Sequence, residues 1–177
     1  MSVVFIIFQF HSFVLSLDCT TRVTFDDIPD QSATYGPIPN GYNNLNWTNV
    51  NYANASAMPT SGFQRALKSP SYVAYNVGGN TMMITTANGT RFAFNSIVVS
   101  AAWRDQLVWF VEGYNNGVLY LSGGLYVYSN NQTTITCGGC TNFDTLIMYS
   151  YGGTPRAGLA QNGTEFAFDD LCISFGY

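Results

Sequence analysis

Short runs of β-branched and aromatic residues, cut by Gly and Asn, dominate the chain from residue 72 onward and constrain its fold more than any other feature. Thr20–Phe25, Tyr72–Asn76, Met82–Thr86, Arg91–Ala102, Gln106–Tyr114, Val118–Leu121, Leu125–Tyr128, Thr133–Cys137, Thr145–Tyr151 and Glu165–Phe175 all read as strands. Asn115-Asn116-Gly117 between two such runs is a strong hairpin signal. No stretch carries a helical period. Many short strands at close spacing predict an all-β chain, an antiparallel two-sheet sandwich or a barrel. Aromatics make up 16% of the 177 residues, which suits strands over helices. Residues 28–62, rich in Pro and Asn, read as one long irregular segment, the kind that often binds.

Residues 3–17, VVFIIFQFHSFVLSL, are apolar and uncharged, yet shorter than the roughly 20 residues a bilayer span needs. They read as a secretory signal, with small residues Val14 and Ser16 placing cleavage after Ser16. Residues 1–16 are then a leader and 17–177 a single secreted, extracellular domain with no membrane span. His11, the one histidine, falls in the leader, so the mature chain has no Ser-His-Asp triad and no His metal ligand. Six Lys+Arg against ten Asp+Glu, and 9% charge in all, supply no basic patch for nucleic acid. Five sequons, at Asn46, Asn54, Asn88, Asn131 and Asn162, match glycosylation of an exported chain.

Cys19, Cys137, Cys140 and Cys172 are an even number. Cys137-Gly-Gly-Cys140 has three readings: a redox motif without its usual βαβ setting, half of a zinc site with unsuitable partner spacing, or a local disulfide on a tight turn. An exported chain favours the disulfide. Cys19 then pairs with Cys172, each in a terminal strand. Phe25-Asp26-Asp27 and Phe168-Asp169-Asp170 would be held near one edge of the sandwich by that bond. Oxygen ligands of this kind suit a structural Ca²⁺, while the plainer reading has the acids accept backbone N–H groups at turns.

Alternation within the strands separates two faces. Leu107, Trp109 and Val111 share one, Val108, Phe110, Glu112 and Tyr114 the other. Tyr126 and Tyr128 oppose Leu125 and Val127; Tyr149 and Tyr151 oppose Leu146 and Met148. A face meant only for water carries Lys, Glu and Thr, and this one carries Tyr and Phe. It is either a second core under the 28–62 segment or a platform for something flat and amphipathic, such as a sugar ring. Trp103 and Arg104 join Phe110, Tyr126, Tyr128, Tyr149 and Tyr151 as candidate ligand contacts; a guanidinium hydrogen-bonds hydroxyls in two-pronged fashion.

Ile38-Pro39-Asn40-Gly41-Tyr42-Asn43-Asn44-Leu45-Asn46-Trp47, after a first strand ending Phe25-Asp26-Asp27, is similar to an IPxGYxGLxW segment of secreted β-sandwich proteins. These occur in fungi and among bacterial PEP-CTERM-type exported proteins. Ala102-Trp103, Glu112-Gly113-Tyr114, Ala157-Gly158-Leu159 and Asp169-Asp170-Leu171 continue the resemblance over most of residues 22–173. It implies a galactose-binding-domain-like jelly roll, a structural Ca²⁺ near the termini, and carbohydrate binding or cell-surface adhesion without catalysis. The chain departs by Asn43-Asn44 and by the Cys137–Cys140 insertion.

A glycan or cell-surface component is therefore the expected partner. A structural coat or host-interaction protein is the alternative. A glycoside hydrolase or lyase is the third, and it lacks a carboxylate pair: Asp105 and Glu112 are seven residues apart, which at ~3.3 Å per residue puts them more than about 20 Å apart on opposite faces.

Overall fold

A computed structural model describes residues 19–176. The expected leader and His11 lie outside the described residues. Twelve strands form two antiparallel sheets packed face to face, a β-sandwich. The strands are β1 Thr21–Val23, β2 Tyr35–Pro37, β3 Leu45–Thr48, β4 Val50–Asn54, β5 Tyr72–Asn76, β6 Met82–Thr86, β7 Phe92–Ala101, β8 Arg104–Asn115, β9 Val118–Val127, β10 Thr133–Thr136, β11 Thr145–Pro155 and β12 Phe166–Phe175. The seven-stranded sheet runs β10-β7-β12-β5-β4-β2, with β1 also paired to β12; the five-stranded sheet runs β3-β6-β11-β8-β9. Among the described residues, no helix is long and apolar enough to cross a membrane.

The inner faces meet in one core. Trp109 and Leu107 from β8 face Phe166 and Phe168 of β12 and Phe92 and Phe94 of β7, all fully buried. Trp109 meets Phe166 edge to face at 6.2 Å, a favoured aromatic geometry. β12 keeps its core side inward along its whole length through a bulge. Its register with β7 shifts between Asp169 and Cys172, and Asp170 takes a left-handed φ of 54°. Phe166 and Phe168 before the bulge, and Leu171 and Ile173 after it, therefore all point into the core.

The β8–β9 hairpin forms at the expected place. Asn116 and Gly117 both have positive φ, 49° and 75°, as a two-residue turn matched to strand twist requires. Two expectations are corrected. β9 runs unbroken through Ser122-Gly123-Gly124, which the sequence reading took for a gap between two strands. Residues 28–62 are not one irregular loop, since β2, β3 and β4 lie within them. Leu45 and Trp47 point inward while Asn46 and Thr48 point outward, a strand alternation masked by its high Asn content.

The segment after β4 covers a sheet, but not the tyrosine-rich one. A short helix, α1 (Gly62–Ala66), packs on β7 and β12 and carries Phe63 onto the outer face of the seven-stranded sheet. There Phe63, Ala66, Val73, Ala102, Trp103 and Ala167 form a second buried cluster. The outer face of the five-stranded sheet is left uncovered by this segment.

Both disulfides pair as expected: Cys19 with Cys172, and Cys137 with Cys140. The first ties β1 to β12, next to the Arg22–Asp170 ion pair at 2.5 Å.

Candidate functional site

Strand register builds the site. On the outer face of the five-stranded sheet, Val108 lies between Tyr126 of β9 and Tyr151 of β11. One pair along, Phe110 lies between Gly124 and Tyr149; the next pair sets Glu112 between Ser122 and Ile147. Alternation alone puts these residues on one face, because the same strands turn Leu107, Trp109, Leu146 and Met148 into the core.

The aromatic rings form a continuous row. Phe110 and Tyr149 have centroids 5.2 Å apart and planes within 26°; Tyr149 and Tyr151 are 6.3 Å apart and within 20°. Gly124 makes room for the row. A Cβ there would run into the Phe110 ring and come within 2.7 Å of the Trp109 carbonyl oxygen. Tyr126 and Tyr151 are each 53% exposed, and Tyr128 continues their side of β9 at 37%. Phe110 and Tyr149 are half-buried by their neighbours in the row. So the face is not a second core.

Glu112 anchors the row from its polar end. Its carboxylate accepts the Tyr114 hydroxyl at 2.7 Å and the Tyr149 hydroxyl at 3.3 Å. Burial, and then the Glu112 charge, push the Tyr149 phenol up to about 12. The hydrogen bond to Glu112 raises Tyr114 as well. Both phenols therefore remain protonated at neutral pH. Sequence reasoning placed Glu112 and Tyr114 on this face but did not include them among the contacts; their place in the same alternation was the signal that could have done so.

Two expected contacts belong elsewhere. Trp103 is buried, 4% exposed, against Phe63 at 5.4 Å beneath α1 on the opposite sheet. The indole thus packs a core and offers no face to a ligand. Arg104 donates to the Asn162 carbonyl at 2.5 Å and the Gly153 carbonyl at 2.9 Å, tying the start of β8 to neighbouring segments. Both of its terminal nitrogens are taken up by backbone carbonyls. Asp105 is partnered by Arg156, 3.8 Å away, not by Arg104.

The acids offered for calcium are already engaged. Asp169 Oδ2 accepts from the N–H groups of Lys68 and Ser69, both at 2.7 Å, and from the Ser69 hydroxyl at 2.9 Å. Asp169 Oδ1 accepts the Asp170 N–H at 2.6 Å. Asp26 Oδ1 accepts from Ser71 and Tyr72 N–H, Asp27 accepts the Tyr42 hydroxyl at 2.5 Å, and Asp170 pairs with Arg22. These donors aim positive hydrogens where a cation's own charge would sit. Of these four acids, Asp26 alone has a buried carboxylate oxygen, Oδ2, without a hydrogen-bond partner. Among the described residues no three His, Cys, Asp or Glu side chains gather as a metal site. As arranged, these four acids fit the turn-acceptor role better than a calcium ion.

The sequons divide by exposure. Asn88, Asn131 and Asn162 stand exposed in connections. Asn46 and Asn54 are half-buried, and their amide nitrogens donate to the carbonyls of Thr86 and Ala33. Asn54 also caps the turn that follows β4 by accepting from Ser56 N–H.

No family model matches the chain, and no curated protein does. Among solved structures, the chain resembles a DUF4465 family protein from Bacteroides caccae. The TM-score is 0.63 at 10% identity, over 88% of this chain and 99% of that one. At that identity the likeness shows the shared sandwich fold. A weaker likeness is to the carbohydrate-binding module TmCBM61, solved with β-1,4-galactotriose. Its TM-score is 0.47 at 7% identity, over 82% of this chain and 100% of that one. Another is to the family 32 carbohydrate-binding module from C. perfringens NanJ, solved in complex with galactose. That one has a TM-score of 0.41 at 11% identity, covering 80% of this chain and 98% of the other. Neither of these two is close enough to bear on a ligand. The sandwich expected from the fungal and PEP-CTERM-type resemblance is present; that particular family is not supported by these comparisons.

Proposed function

We propose that the protein is an exported, non-catalytic carbohydrate-binding module, and that the outer face of its five-stranded sheet holds the ligand. One observation carries this reading: the aromatic row Phe110–Tyr149–Tyr151, with Tyr126 beside it, stands uncovered while the loop-borne helix packs on the other sheet. An aromatic ring offers its face to sugar C–H groups, and a phenol offers a hydroxyl to sugar hydroxyls. Register puts no Lys or Arg among these residues and one carboxylate, Glu112. That chemistry suits neutral sugars and disfavours uronates and sulfated glycans, whose anions would meet Glu112.

The absence of catalysis is part of the proposal. Hydrolysis by acid and base or nucleophile needs two carboxyls about 5–10 Å apart. Glu112 has no second carboxylate across from it in either neighbouring strand, where Ser122 and Ile147 stand, and it already accepts two phenol hydrogen bonds. Export is supported by the sequence and by the two disulfides. A glycan-array screen of the folded protein tests the reading. It is expected to give signals among neutral glycans and none among polyuronates. A blank array, or signals confined to acidic glycans, would refute it.

A further inference from the structure

Glu112 is the one charged side chain that register places beside the aromatic row, and no counter-charge meets it. Across from it stand Ser122 on β9 and Ile147 on β11. Among the described residues it enters no ion pair; the two that form join Arg22 to Asp170 and Arg156 to Asp105. The other four basic residues lie elsewhere. Arg104 serves the Asn162 and Gly153 carbonyls, Arg91 donates to Asn142, and Arg65 and Lys68 lie in and just after α1 on the opposite sheet. Asp144, a nearby acid, gives its oxygens to the Asn116 N–H and the Thr145 hydroxyl. Glu112 is half-buried, and its partners are two phenols. A phenol O–H is neutral, so it occupies a lone pair and leaves the charge uncompensated. A carboxylate partly withdrawn from water in this way still favours an opposite charge beside it.

That charge lies within reach of a ligand on the row. Glu112 is two residues from Phe110 on the same face of β8, about 7 Å along the strand, which is close to the breadth of one sugar ring. Tyr149 joins the two. Its ring stacks on Phe110 at 5.2 Å, and its hydroxyl donates to Glu112 at 3.3 Å. A pyranose lying over Phe110 and Tyr149 therefore brings a ring substituent to the Glu112 carboxylate. The rings themselves also draw a cation, through the negative potential of their faces.

We propose that the aromatic row selects sugars carrying a free amine, hexosamine units whose ammonium sits against the Glu112 carboxylate. The inference rests on the reading of the row as a sugar site and names the sugar class that the site prefers. A sugar hydroxyl also donates to Glu112, so a neutral hexose polymer binds, but less tightly. An ammonium makes the same hydrogen bond and adds the opposite charge. N-acetylation removes that charge, and a uronate reverses it. The net charge of −4 on the whole chain draws a polycation in from a distance; this speeds encounter, while Glu112 makes the choice.

Titration calorimetry at about pH 6, where amines are protonated and carboxylates ionised, tests it with matched β-1,4-linked oligomers: glucosamine against glucose, and galactosamine against galactose. Within a pair that binds, the hexosamine oligomer is expected to bind about tenfold more tightly, the margin of a charge-assisted hydrogen bond over a neutral one. In Glu112→Gln, shown folded by circular dichroism, the two affinities should become equal. Asp30→Asn removes the same unit of charge from an exposed connection between β1 and β2, and should leave the margin as it is. Equal affinities in the unaltered chain would overturn the inference and leave the row standing as a sugar site. A margin that survives Glu112→Gln, or that Asp30→Asn removes as well, would overturn it too. Failure of all these oligomers to bind would overturn both readings.

Discussion

Removing the Cys19–Cys172 bond, by the double variant Cys19→Ala, Cys172→Ala, is the perturbation whose size follows most directly from the structure. The bond closes a loop of 153 residues, and Cys137–Cys140 closes one of 3. Loop-closure entropy in the unfolded chain is worth about 5 kcal/mol for the first and about 2 kcal/mol for the second. For a chain of this size, about 5 kcal/mol lowers the melting temperature by roughly 10–20 °C. The long bond also holds β1, which is three residues long and leads into Val23 and Phe25, both fully buried. Calorimetry gives the melting temperatures of both double variants, and urea unfolding separates two causes. If the effect lies in the unfolded chain, the m value rises because more surface is exposed on unfolding. If β1 detaches from the folded protein, m falls. Equal losses for the two variants would refute the loop argument.

Three further outcomes follow from the packing. Trp103→Ala should cost about 3–5 kcal/mol, as truncation of a buried aromatic does, whereas Tyr126→Ala, half exposed, should cost about 1 kcal/mol or less; urea unfolding compares them, and equal costs would return the tyrosine face to the core. EDTA and millimolar Ca²⁺ should leave the melting temperature unchanged, because the Asp26 and Asp169 oxygens face N–H donors; a rise with Ca²⁺ would restore the metal. Tyr149 is raised in the folded state, so its contribution to stability is complete below about pH 10 and is lost as pH climbs through about 12. Ultraviolet titration of phenolate should show the Tyr149 ionisation moving down in Glu112→Gln, though not fully to its ordinary value, since burial is the larger cause.

Elements with strong alternation could be read from the sequence, and elements with mixed signals could not. β5 and β6 fall at the expected residues, because Tyr72–Asn76 and Met82–Thr86 are bounded by clear breakers. β9 was split because Gly123-Gly124 resembles a turn; a strand tolerates Gly124 here only because the Phe110 ring on β8 lies over it, a contact between strands that local pattern does not contain. β3 and β4 leave no strand signal in the sequence, because Asn-rich stretches imitate loops. At the site, Phe110, Tyr126, Tyr149 and Tyr151 followed from period two alone. Trp103 did not, because its exposure depends on α1, a five-residue helix too short to leave a period, docking on the opposite sheet. Arg104 failed likewise: its partners, Gly153 and Asn162, lie far along the chain and come near only through the β8–β11 pairing.

Titration calorimetry with neutral oligosaccharides shows whether the uncovered aromatic row holds a sugar, by comparing the unaltered chain with Tyr126→Ala, Tyr151→Ala and the triple variant that adds Phe110→Ala. At least one neutral oligosaccharide is expected to bind, each single tyrosine variant to weaken it by about tenfold, equivalent to about 1.4 kcal/mol, and the triple variant to abolish binding while remaining folded. Undiminished binding by the folded triple variant would mean that the row is not where the sugar sits.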